Sequence, residues 1–173
     1  MGLTRHESGG LSRLDGPIPM FLYRGVSEKF DRDNASQLKP KVSGPFEHGF
    51  CWDEPGFQFD SGITWDSTIT NAVIRQQFNQ EGFPTSGIST TPILERAIVY
   101  ARGKDGCSNG FVYKIDRALL VMHGVKEFVV SEYARTPSIP EDDEVILVTP
   151  DAASLAEAVI VEKITVSGRG GRV

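Results

Sequence analysis

Cysteine, histidine and long apolar runs are scarce in this chain of 173 residues, and each scarcity closes a class of function. Only two cysteines occur, Cys51 and Cys107, with no CxxC pair and no histidine at metal-ligand spacing, so no metal site is expected. Two unpaired thiols are the first expectation, with one long-range disulfide as the alternative. There are three histidines, one of them His6 near the start, and they leave no legible Ser-His-Asp or Cys-His arrangement. A GxSxG elbow, a Walker loop and a GxGxxG loop are all missing. The longest apolar run, Ala118 to Met122, falls far short of the roughly 20 residues that span a bilayer. The opening MGLTRHESGG has no apolar core of the kind a signal peptide carries, and His6 stands where myristoylation wants Ser or Thr. Cationic excess is absent too: 18 Lys and Arg against 23 Asp and Glu give a net charge of -5, which argues against a protein that lives on nucleic-acid backbones.

What is present fits one ordinary domain, with 39% hydrophobic and 24% charged residues. A chain of about 150 residues buries roughly 68–70% of the surface it exposes when unfolded, so the fold needs no metal or disulfide. Residues 1–19, rich in Gly, Ser, Arg and Pro, read as a flexible leader, and residues 167–173 as a flexible tail. Between them, 20–166 reads as a single domain. Met20 to Tyr23 forms a short strand closed by Arg24 and Gly25, and residues 27–63 read as long loops with a turn of helix. Asp66 to Gln80 carries Ile69, Ala72, Val73, Gln76 and Gln77 at helical spacing, with Asp66 or Ser67 as cap. Ser86 to Thr90 is a strand, and Thr91 then caps a helix with Pro92 at its first position and Gly103 at its end. Strands follow over 111–115, 128–130 and 144–148, a short helix over 151–158, and a last strand over 160–166. Strands outnumber helices and no regular crossover helices separate them, so the fold class is α+β.

Three features carry chemistry. Arg24 ends a strand, Ser89-Thr90-Thr91 ends another just before a helix, and Asp142 and Glu144 stand one residue apart, on one side of a late strand as it begins. Each alone reads as surface charge, helix cap or edge gatekeeper. Their order is that of the R-S-E class of mono-ADP-ribosyltransferases, which contains bacterial ADP-ribosylating toxins, and the chain resembles that class in several places at once. FLYRG is similar to the first strand with its arginine, SGISTTPILERAIVYA to the Ser-Thr-Ser strand and following helix, GFVYKI to the next strand, and PEDDEVILV to the carboxylate motif. The resemblance spans roughly residues 20–166.

The resemblance implies a split β-sandwich around an NAD cleft, with NAD consumed as a substrate and no metal. Glu144 would be the catalytic carboxylate, with Ser89 orienting it and Arg24 contacting a phosphate or ribose of NAD. Thr90 would support the NAD site and Asp142 would position the acceptor. An aromatic residue stacking on nicotinamide is also implied, with Tyr100, Phe111 and Tyr113 as the alternatives. One departure stands out: the class has Glu or Gln where this chain has Asp142, which is one methylene shorter than Glu, the residue associated with arginine acceptors. The implied function is transfer of ADP-ribose to an unidentified macromolecular acceptor, more naturally protein than nucleic acid, by a soluble toxin or effector that can be delivered into a target-cell cytoplasm. The alternatives are an NAD glycohydrolase of the same fold and a non-catalytic binding module.

Overall fold

The computed structural model describes residues 18–42, 44, 46, 68–78 and 86–169. Two three-stranded antiparallel sheets organise them. In the first, β1 (Phe21–Ser27) pairs with β3 (Gly110–Asp116), which pairs with β6 (Ile160–Val166). In the second, β5 (Val145–Val148) lies between β2 (Ile88–Thr90) and β4 (Lys126–Val129). The sheets meet where Tyr23 and Thr91 exchange backbone hydrogen bonds of 2.7 and 2.9 Å. Among the described residues five helices accompany them: α1 (Glu28–Asp33), α2 (Thr68–Phe78), α3 (Leu94–Arg102), α4 (Arg117–Met122) and α5 (Val130–Tyr133). This is the α+β class expected from the strand-rich pattern.

Side-chain alternation explains the layering. Leu22 and Val26 of β1, Tyr113 and Ile115 of β3, Ile88 of β2, and Val145 and Leu147 of β5 form one buried cluster between the sheets. Val112 and Val166 point the other way and pack on Ala97 and Ala101 of α3. Ile146, on the opposite face of β5 from its neighbours, packs with Phe128 against Ala72 and Val73 of α2. A strand buried on both faces reads as the unbroken apolar run VILV, which is why β5 shows no alternation in sequence. The core also holds a polar group: Tyr113 donates its hydroxyl to Asp31, whose carboxylate pairs with Lys163 at 2.8 Å and takes a 3.1 Å hydrogen bond from Ser36. Asp31→Ala is expected to lower stability by about 2 kcal/mol in urea unfolding, because the buried phenol and the ammonium lose their partner together. Burial opposes ionisation of Asp31, but Lys163, Tyr113 and Ser36 outweigh it and hold its carboxyl below the usual range. That contribution is present above the ordinary Asp value and fades as pH falls through the lowered one.

Several boundaries differ from expectation. β1 does not close at Arg24 and Gly25 but runs through them to Ser27, because its antiparallel pairing with β3 continues to Ser27 and Gly110, and the backbone of α3 lies against it at Gly25. Thr91 is not the cap of α3 and Pro92 is not its first residue: the helix begins at Leu94, and the Thr91 hydroxyl accepts from the Ile93 amide at 3.0 Å in a turn before it. The strand expected over 128–130 covers 126–129 instead, and Val130 opens α5. In place of a helix over 151–158 there are two 3-10 turns, Pro150–Ala152 and Glu157–Val159, separated by extended chain that docks by a 2.7 Å hydrogen bond from the Leu155 amide to the Leu38 carbonyl. The apolar run Ala118–Met122 is α4, capped by Asp116, which accepts from the Ala118 amide at 2.8 Å. Among the described residues no helix is long and apolar enough to cross a membrane. Asp66 and Ser67, Cys51, and the leader and tail except residues 18, 19 and 167–169 lie outside the described residues. Cys107 is exposed and free.

Candidate functional site

Arg24, Ser89 and Glu144 come from three separate stretches of chain, and the junction of the two sheets brings them together. Arg24 shares the inward face of β1 with Leu22 and Val26, so its guanidinium enters the space between the sheets. There Nη1 donates to the Ser89 carbonyl at 2.5 Å, and the guanidinium lies 5.8 Å from the Phe30 ring centroid. Its Nε is buried and has no hydrogen-bond partner among the described residues. Desolvation pulls the guanidinium down to about 10, with Glu144 pulling the other way, so it remains a cation at neutral pH.

Ser89 pairs with Ile146 in register, which turns its side chain toward α2. Gln76 of α2 donates to the Ser89 hydroxyl at 3.2 Å and to the Gly87 carbonyl at 3.2 Å. Glu144, directly before β5, lies on the same side, where it accepts hydrogen bonds from Gln77 and Ser89. Burial pushes its carboxyl above the usual range; the Ser89 and Gln77 hydrogen bonds oppose this, Asp142 adds to it and Arg24 counters it. The result is a half-buried carboxylate held by two polar side chains and facing a fixed cation. Such a group can stabilise positive charge that develops beside it.

Asp142 is placed differently from the expectation that it and Glu144 share one side of a strand. Pro140–Asp142 is a 3-10 turn and Asp143 adopts φ 44, ψ 46, so the period-two alternation does not apply across it. The Asp142 carboxylate turns to α3, where Arg96 donates from Nε to Oδ1 at 2.6 Å and Tyr100 donates to Oδ2. Burial and then Asp142 push the Tyr100 hydroxyl up to about 12. Thr90 is buried, and its hydroxyl donates to the Val145 carbonyl at 2.6 Å, tying β2 to β5. Of the three aromatic alternatives, Tyr100 adjoins this group and is 44% exposed. Phe111 and Tyr113 lie by Lys163, whose ammonium is 4.1 Å from the Phe111 ring centroid, and the Tyr113 hydroxyl is taken by Asp31 and Ser36.

The sequence marks Gln76 and Gln77 only as helix positions and Tyr100 only as a candidate ring, and it does not mark Arg96 at all. The two glutamines carried a signal, since they occupy the stripe of α2 that also carries the buried Ala72 and Val73, where a polar residue has to find a partner. Arg96 carried none, being one of several charges on a short helix. Comparison with curated proteins finds no match. The NarE family profile matches residues 21–147, a span that includes Arg24, Ser89, Asp142 and Glu144 and most of both sheets. With well over half of its length matched, the chain belongs to the NarE family, an ADP-ribosyltransferase-like family.

Proposed function

We propose that the protein is a mono-ADP-ribosyltransferase of the R-S-E class that cleaves NAD at the bond between nicotinamide and ribose and transfers ADP-ribose to a macromolecular acceptor, as a toxin or effector. The observation that supports this reading most is the convergence of Arg24, Ser89 and Glu144 on one hydrogen-bonded group at the meeting of two antiparallel sheets. On this reading the two sheets are the halves of the split β-sandwich that flanks the NAD cleft.

Departure of nicotinamide leaves an oxocarbenium-like ribose, so the useful interaction is one that strengthens as positive charge appears. Glu144 supplies it, by binding a ribose hydroxyl and facing the cation. Ser89 and Gln77 fix the rotamer of Glu144, so that its charge needs no reorganisation during the reaction. The Nε of Arg24, without a partner among the described residues, fits an anionic substrate, since a guanidinium with a spare donor suits phosphate oxygens. Arg24→Lys is therefore expected to raise KM for NAD by about tenfold, with a smaller effect on kcat, because the planar fork is lost while the charge is kept. Steady-state kinetics over a range of NAD concentrations measures both.

The direct test is nicotinamide release from NAD by the purified protein, with and without a cell lysate. Release that rises with lysate, together with label from NAD appearing on a macromolecule, is expected of the transferase. No release under either condition overturns the proposal. A second reading, an NAD glycohydrolase with water as acceptor, is favoured by one observation: both carboxylate oxygens of Asp142 are already engaged by Arg96 and Tyr100. Release unaffected by lysate would select it.

A further inference from the structure

Asp142 is 7% exposed and is held at three points. Arg96 donates to one carboxylate oxygen at 2.6 Å, Tyr100 donates to the other, and the Thr91 hydroxyl donates to the Asp142 backbone carbonyl at 2.5 Å. Arg96 and Tyr100 are four apart and so lie on one face of α3, which puts both donors over the same turn. The turn leads through the left-handed Asp143 directly into Glu144, whose backbone carbonyl accepts from the Val130 amide at 3.0 Å. Glu144 therefore has little freedom of its own: the residue two before it is anchored to α3 and its own carbonyl to α5.

From this we infer that Arg96 and Tyr100 are positioning residues for Glu144 and that Asp142 is the strut through which they act, not a group that takes up the acceptor. The inference rests on the proposed reading of Glu144 as the catalytic carboxylate. Its chemistry is that of an internal ion pair. A carboxylate whose two oxygens already accept from a guanidinium and a phenol has its strongest acceptor positions filled, so a cationic acceptor side chain would have to displace Arg96 to reach it. The same ion pair fixes the turn geometrically. A carboxylate displaced by about 1 Å from its productive position can lose up to a hundredfold in rate, so loosening the strut reads out in the chemical step and not in substrate affinity.

Arg96→Gln and Tyr100→Phe are each expected to lower kcat for nicotinamide release by about tenfold while KM for NAD stays within about twofold. Combining Arg96→Gln with Asp142→Asn is expected to be no worse than the more severe single change, because the two act through one contact. Arg96→Lys, which keeps the charge, is expected to recover part of the loss. Amide hydrogen exchange of the wild type and the Tyr100→Phe protein gives a readout independent of turnover: residues 141–145 are expected to exchange faster in the variant and the rest of the chain at the wild-type rate. An unchanged kcat in Arg96→Gln and Tyr100→Phe overturns the inference. So does an Asp142→Asn protein that releases nicotinamide at the wild-type rate but no longer transfers label from NAD to lysate protein, since that is the signature of an acceptor-binding group. If the wild type releases no nicotinamide, the reading of Glu144 fails on its own, and exchange decides the strut: faster exchange at 141–145 upholds the anchoring by α3, unchanged exchange refutes it.

Discussion

Glu144→Gln is expected to reduce nicotinamide release from NAD by about a hundredfold to a thousandfold, the loss seen when one fixed electrostatic contact to a transition state is removed. The amide keeps the size of the carboxyl and can still meet Gln77 and Ser89, so only the charge is lost. Stability should move the other way. The carboxyl of Glu144 lies above its ordinary value because burial disfavours the ion more than Ser89, Gln77 and Arg24 favour it. In the pH range between the ordinary and the raised value the folded protein holds a proton that the unfolded chain has released. Stability therefore falls as pH rises through that range, and above the ordinary Glu value the burial of Glu144 is a net liability to the fold. The glutamine variant is accordingly expected to melt at or above the wild-type temperature at pH 7, with the difference shrinking toward the ordinary Glu value. An active Glu144→Gln protein would remove Glu144 from the mechanism. A variant that is inactive and also much less stable would show that the loss came from the fold.

The largest effect on stability is expected at Gly25. A Cβ added there would lie 1.8 Å from the Ala97 carbonyl oxygen and 2.8 Å from the Ala101 amide nitrogen. These are backbone atoms of α3, so no side-chain rotation relieves the overlap, and either the helix or the strand has to move. Gly25→Ala is expected to destabilise by about 3 kcal/mol or more, at the upper end for overpacking. At about 2–4 °C per kcal/mol for a domain of this size, that is a fall in Tm of about 6–12 °C. Activity should fall further than the unfolded fraction explains, since β1 carries Arg24 on its other face and α3 carries Arg96 and Tyr100. A Tm within about 2 °C of wild type would mean that α3 and β1 are not packed as closely as described.

Gly25 also shows what a linear reading misses. In sequence, Arg24-Gly25 reads as the close of a short strand. The strand continues through it because its pairing with β3 runs on to Ser27 and Gly110, and the residue has to be glycine because the helix that follows Ser89-Thr90-Thr91 packs so closely that only hydrogen fits. Nothing near Gly25 in sequence carries that information; the atoms that require it belong to Ala97 and Ala101. The carboxylate pair is a similar case. Alternation predicted that Asp142 and Glu144 share a side, but the left-handed Asp143 rotates one toward α3 and the other toward α2.

Local order determined the strands β2, β3, β5 and β6 to within a residue or two, the bodies of α2 and α3, and the α+β class. Those features depend on apolar spacing and on turn residues inside windows of ten or so positions, which survive whatever the rest of the chain does. The ordered arginine, hydroxyl and carboxylate motifs are likewise visible as residue types in sequence, and by themselves they nominate Arg24, Ser89 and Glu144. Tertiary structure alone decided which of these side chains meet and who holds them: Arg24 on the Ser89 carbonyl, Gln77 on Glu144, and Arg96 with Tyr100 on Asp142. Those contacts join residues 42 to 67 positions apart, and partners so distant are selected by the packing of two sheets and two helices around a shared edge, not by any local preference.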